Sequence, residues 1–137
     1  NKEEEAKNFG ADYFISSSDS SSLEKIMGSL DFIISTVNVK LDWSAYINAL
    51  RPKGRLHIVG AVMEPISVPV FPLLLGQKSI SASPLGSPNS MRTMLQFAAN
   101  HQIEPMVETY PMDKVNDAME KLRSGKSRYR LVLKNSN

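Results

Sequence analysis

Continuous apolar runs alternate along this chain with one-sided apolar stripes, and the alternation predicts a wound α/β fold. Residues Leu30 to Val37 (LDFIISTV) are apolar almost throughout, as strands of a parallel sheet are when both faces are covered. Arg55 to Gly60 (RLHIVG) reads as a second strand. Between them Asp42 caps a helix in which Trp43, Tyr46, Ile47 and Leu50 recur at i, i+3, i+4 and i+7, a stripe that faces a sheet. Pro52 and Gly54 stop that helix. Leu30 to Gly60 is therefore expected to form one βαβ unit, with a crossover long enough to set its strands parallel.

The flanks continue the pattern with less regularity. Residues 2 to 9 (KEEEAKNF) favour helix and Gly10 ends it, although no Ser, Thr or Asp cap precedes it. Ala11 to Ile15 (ADYFI) reads as a short strand and the serine-rich tract Ser16 to Ser22, with Asp19, as a surface connection. Pro65, Pro69 and Pro72 withhold backbone donors, which predicts an irregular connector before the apolar stretch Leu73 to Leu75. Lys78 to Ser83 (KSISAS) alternates as a third strand at a sheet edge. Ser87 and Pro88 open a helix striped by Met91, Met94, Leu95 and Ala98.

After Asn100 the rhythm changes. Met106 to Tyr110 and Tyr129 to Leu133 are short strands around one helix, capped by Asp113, buried through Val115, Ala118, Met119 and Leu122, and ended by Gly125. This tail is expected to return to a different sheet, giving two domains, 1–101 and 102–137. Met63, Met91, Met94 and Met119 are expected to fill core gaps.

Composition narrows the chemistry. The formal charge of +2 is small and its Lys and Arg are dispersed, so no footprint for nucleic acid or anionic lipid stands out and a small-molecule partner is favoured. There is no cysteine, hence no disulfide and no thiolate metal site, and His57 and His101 are the only imidazoles. His57, in mid-strand, reads as a packed histidine, and His101, just past a helix end, as a dipole partner. No apolar run approaches the roughly 20 residues that span a bilayer. The acidic start is unlike a signal peptide, so the cytoplasm is the expected location.

A series of phrases in fixed order then carries a likeness: Lys2-Glu3-Glu4-Glu5-Ala6-Lys7, Gly10-Ala11-Asp12, Asp31-Phe32-Ile33-Ile34-Ser35-Thr36-Val37, Pro52-Lys53-Gly54-Arg55-Leu56, Val59-Gly60 and Tyr129-Arg130. Over essentially the whole chain this order resembles the zinc-dependent alcohol dehydrogenases of the medium-chain dehydrogenase/reductase superfamily, most closely their cinnamyl alcohol dehydrogenase branch. The resemblance implies the carboxy-terminal part of a longer enzyme. Its fold would be a partial Rossmann-type doubly wound parallel sheet without its first strand and glycine loop, followed by a segment of a GroES-like catalytic domain. It also implies NADP(H) as cofactor, zinc polarising the substrate oxygen from ligands outside this chain, and hydride exchange between primary alcohols and aldehydes. Family dimers join through the edge strand, here 78–83, which implies a homodimer.

In such sheets the cofactor lies across the carboxyl ends of the strands, and the likeness assigns residues there. Lys2 corresponds to a basic residue beside the 2′-phosphate of NADP, or is an exposed helix-start lysine. Ser35, Thr36 and Val37 approach the adenine-side ribose and the cofactor's bridge, or cap the loop that follows. Val59, Gly60 and Ala61 resemble the nicotinamide shelf, where a glycine admits a flat ring, or a plain strand terminator. Ser83, Pro84 and Leu85 resemble the segment whose main chain holds the carboxamide; Pro84 departs from the family pattern and has no N–H to offer, which leaves the Leu85 N–H or the Ser83 carbonyl. Arg130 matches an arginine directed at the pyrophosphate, and Arg128 is expected in solvent. Three rival readings are a zinc-free quinone reductase of the same superfamily, a stand-alone nucleotide-binding module, and a methyltransferase, whose reversed final hairpin matches the tail poorly.

Overall fold

A computed structural model describes residues 2–17 and 20–135 of the chain. They form two compact units, Asn1–Leu85 and Gly86–Asn137. The first holds helix α1 (Lys2–Asn8), helix α2 (Ser20–Glu24), strand β1 (Leu30–Ser35), helix α3 (Trp43–Ala49), strand β2 (Leu50–Ile58), helix α4 (Val70–Gly76) and strand β3 (Ser79–Ala82). Its three strands are parallel in the order β1-β2-β3.

The predicted βαβ unit is present, and its stripe explains the core. Asp42 caps α3 by accepting a hydrogen bond from the Ser44 N–H at 3.1 Å. Trp43, Ile47, Leu50, Leu56 and Ile58 form the buried cluster, with Ile33, Leu41, Val68 and Leu73 packed against it. The face of β1 that bears Phe32 and Ile34 is 50% and 58% exposed at those residues, so within this unit the strand is covered on one side rather than the two its apolar run predicts. Strand β2 starts earlier than expected, at Leu50, and takes in Pro52 and Gly54. A register shift between Leu30 and Phe32, opposite a left-handed Lys53 (φ 64), accommodates them.

Three local expectations are corrected. Ala11 to Ile15 pairs with no described strand; β-propensity makes a ladder only where a neighbour supplies donors and acceptors. Part of the serine tract is helical, as α2, while Ser18 and Asp19 lie outside the described residues. The proline-rich connector ends in α4, whose third residue is Pro72, tolerated because first-turn N–H groups have no intrahelical acceptor. Gln77, left-handed at φ 50, closes α4, and the Lys78 ammonium donates to the Ile47 carbonyl at 2.7 Å, satisfying an end of α3.

The second unit holds helix α5 (Pro88–Asn100), strand β4 (Val107–Pro111), a 3-10 turn (Met112–Lys114), helix α6 (Val115–Arg123) and strand β5 (Arg130–Lys134). The two strands pair in parallel around α6. Ser87 caps α5 as predicted, accepting from the Ser90 N–H at 3.1 Å. Asp113 does not cap α6: it falls in the 3-10 turn, and Lys114 takes the cap position without a side-chain bond. Ala118 alone of the α6 stripe is buried, and Met63, Met91, Met94 and Met119 are exposed rather than core filler. Glu108 accepts from the Lys121 ammonium and from the Arg128 N–H. No described helix is long and apolar enough to cross a membrane.

Candidate functional site

The carboxyl ends of β1, β2 and β3 lie side by side because the register aligns Ile34 with His57 and His57 with Ser81. Past those ends the chain leaves each strand as a loop, and the predicted residues Ser35 to Val37, Val59 to Ala61 and Ser83 fall on these exits. The exits of β1 and β2 are stitched together: the Ser35 carbonyl accepts from Val59 N–H at 2.9 Å and from Gly60 N–H at 3.1 Å. At the β2–β3 junction the Ser83 N–H donates to the Ile58 carbonyl at 3.3 Å. A shallow cleft of about 350 Å³ runs between these exits, lined by Ile58, Val59, Gly60, Ala61, Ala82, Ser83 and Pro84.

Gly60 has a reason the sequence did not reveal. A Cβ placed there would lie 2.1 Å from the Val37 carbonyl oxygen and 2.7 Å from the Thr36 carbonyl carbon. The close approach that needs a glycine is made by the chain's own β1 exit, which holds Thr36 and Val37 against the cleft wall.

Ser35 is the notable polar group. It is buried at 7% exposure, and its Oγ is a buried side-chain polar atom without a hydrogen-bond partner among the described residues. It lines a pocket of about 130 Å³ with Ile34, Thr36, Val37 and Trp43. An orphaned buried hydroxyl costs free energy, on the order of 1–3 kcal/mol, and a polar ligand atom would relieve it. Thr36 beside it is exposed.

The remaining predicted residues stand elsewhere. Leu85, 94% exposed, lies beyond β3. Lys2 begins α1 and is exposed. Arg130 opens β5 in the second unit, also exposed. Arg128 is in solvent as expected, its guanidinium 5.7 Å from the Tyr129 ring centre.

One residue read as mere packing is more than that. His57 engages both ring nitrogens, Nδ1 with Ser81 Oγ at 2.8 Å and Nε2 with Ser83 Oγ at 2.9 Å. The alternation of Ser79, Ser81 and Ser83 along β3 puts these hydroxyls on one face, a signal that becomes readable once β3 is known to pair with β2 in this register. A zinc site does not fit these residues. The chain has no cysteine, and among the described residues no three His, Asp or Glu side chains converge. A dinucleotide does fit, because the orphaned Ser35 hydroxyl and the cleft both lie at strand carboxyl ends.

Known proteins share this fold. An aldehyde reductase of Synechocystis sp. is 47% identical over 135 residues, 98% of this chain and 40% of that protein. A cinnamyl alcohol dehydrogenase of Sorghum bicolor superposes with a TM-score of 0.86 at 32% identity, over 96% of this chain and 37% of that one. The cinnamyl alcohol dehydrogenase of Helicobacter pylori, solved in complex with NADP(H), gives 0.76 at 26% identity, over 97% and 38%. The chain thus spans about two fifths of the length of the curated relatives it matches. A family model described as zinc-binding dehydrogenase matches residues 1–100, and the partial doubly wound sheet is the fold it implies. The chain belongs to the zinc-binding dehydrogenase family, among relatives that include alcohol and aldehyde oxidoreductases.

Proposed function

We propose that this chain supplies part of the cofactor site of a longer, NADP(H)-dependent zinc alcohol dehydrogenase that interconverts primary alcohols and aldehydes. The observation that carries the reading is the cleft at the carboxyl ends of the parallel strands β2 and β3, next to a β1 end whose buried Ser35 hydroxyl has no partner among the described residues. The similarity to an aldehyde reductase and to cinnamyl alcohol dehydrogenases, one of them complexed with NADP(H), supports it. Bound NADP(H) would supply the hydride. Ser35, Thr36 and Val37 would meet the ribose and bridge, Val59, Gly60 and Ala61 the nicotinamide, and Ser83 and the Leu85 N–H the carboxamide. Lys2 would face the 2′-phosphate as a point charge, and Arg130 the pyrophosphate as a planar fork. Zinc ligands would come from other parts of the protein.

In this reading residues 1–101 belong to the nucleotide-binding domain, which the family match over 1–100 supports, and 102–137 to the catalytic domain. The outer edge of β3 has no partner among the described strands and would join a second copy, giving a homodimer. A cytoplasmic location completes the reading. The test is an assay of the full-length protein with a panel of primary alcohols. Reduction of NADP+ with a kcat/KM at least tenfold above that for NAD+, abolished by chelating zinc, is expected. Failure to reduce either cofactor overturns the proposal, and a monomeric mass at micromolar concentration removes the dimer.

A further inference from the structure

His57 sits on β2 with its ring stacked on Phe32 of β1, centroids 6.1 Å apart and planes 24° apart. Both nitrogens are spoken for, by Ser81 of β3 and by Ser83 just past its end. A packed ring on a sheet face needs neither contact: an aliphatic side chain would cover Phe32 as well. A neutral imidazole carries one N–H and one lone pair, so one serine accepts from the ring and the other donates to it. In either tautomer the Ser83 hydroxyl loses its free rotation and keeps a defined donor or acceptor directed away from the ring. Ser83 is exposed and lines the cleft at the β2–β3 exits.

We propose that His57 is a positioning residue that holds the Ser83 hydroxyl at the lip of the cleft, where it hydrogen-bonds the polar headgroup of a nicotinamide dinucleotide. The inference rests on the cofactor reading above and adds to it a residue that touches no ligand. Ser81 fixes the ring from its far side, so the orientation is set by a chain running Ser81, His57, Ser83 and then ligand. Preorganisation of this kind acts on the bound cofactor in ground and transition states alike. Its signature is therefore a rise in cofactor KM with kcat little changed.

The test uses the full-length protein, four single variants and the double variant His57→Leu/Ser83→Ala. His57→Leu keeps bulk and removes both hydrogen bonds. His57→Asn places a polar atom near the position of Nδ1, serving Ser81, and His57→Gln places one near Nε2, serving Ser83. KM for NADPH is expected to rise about fivefold in His57→Leu and His57→Asn, the order carried by one neutral hydrogen bond. It is expected to stay within about twofold of the parent in His57→Gln. Ser83→Ala is expected to match His57→Leu, and the double variant to be no worse than either single one. Melting temperatures are measured alongside, and the Asn and Gln pair decides the matter if the leucine variant folds poorly. Equal KM in all three His57 variants, or additive losses in the double variant, overturns the proposal while leaving the cofactor reading standing. Absence of nicotinamide cofactor binding by the parent overturns both.

Discussion

Replacing Gly60 with alanine places a methyl group inside the joint between the exits of β1 and β2. The added carbon would sit 2.1 Å from the Val37 carbonyl oxygen, and 3.0 Å is the least such contact tolerates. The strand exits must therefore separate by nearly 1 Å, and the obstacle is backbone, which no rotamer change relieves. The separation carries the Val59 and Gly60 N–H groups, now 2.9 and 3.1 Å from the Ser35 carbonyl, beyond hydrogen-bond reach. Two lost bonds cost about 1–3 kcal/mol, and the overpacking about 1–3 more. Reduced freedom of the unfolded chain returns about 0.4–1 kcal/mol. The net loss is about 3 kcal/mol, or a fall in melting temperature of about 6–12 °C at the sensitivity of a domain of 150–250 residues. Thermal unfolding of the full-length protein reads it, with Gly86→Ala as control. There the new carbon meets only Ser90 Cβ at 3.5 Å and Met91 Cγ at 3.9 Å, so stability should stay within about 0.5 kcal/mol. A Gly60→Ala protein that melts within 1 °C of the parent would refute the account of this joint.

Other outcomes follow from the same geometry. Ser35→Ala removes a buried hydroxyl with no partner among the described residues, so unfolding measurements should show equal or higher stability without ligand, by up to about 3 kcal/mol, while cofactor KM rises several-fold. Lys2→Ala should lower the preference for NADP+ over NAD+, and Arg130→Ala should weaken both equally; titration calorimetry with each cofactor separates the two. Glu108 is held below the ordinary glutamate value by hydrogen bonds from the Lys121 ammonium and the Arg128 N–H. Because that depression favours the ionised folded form, the stability it adds is present above the unfolded glutamate value and lost as pH falls through the lower folded value. Glu108→Gln should flatten this acid limb in a series of thermal melts, and an unchanged limb would count against the ion pair.

The sequence made the βαβ unit legible because its signals are local: a capped stripe at Asp42 to Leu50 between two apolar runs. Composition likewise disclosed that no thiolate site exists here. What stayed hidden depended on neighbours. The strand-like Ala11 to Ile15 lacks a described partner to pair with, and the methionine stripe of α5 reads as core yet is exposed. Gly60 could be marked as special from its place at a strand end, but the cause, a carbonyl from residue 37, is tertiary. The hydrogen bonds made by the packed His57 stayed hidden for the same reason. Its partners are 24 and 26 residues away and come into reach only through the β2–β3 register. Of the candidate site, the strand exits of β1, β2 and β3 are brought together, whereas Lys2 and Arg130 rest on family likeness.

The central claim is that these exits hold a dinucleotide, and hydrogen exchange on the full-length protein with and without NADPH tests it most directly. The account predicts slowed exchange at amides of residues 35–37, 59–61, 83 and 85 together, with α2 and α6 unaffected. Exchange unchanged at all three exits under saturating NADPH would contradict it.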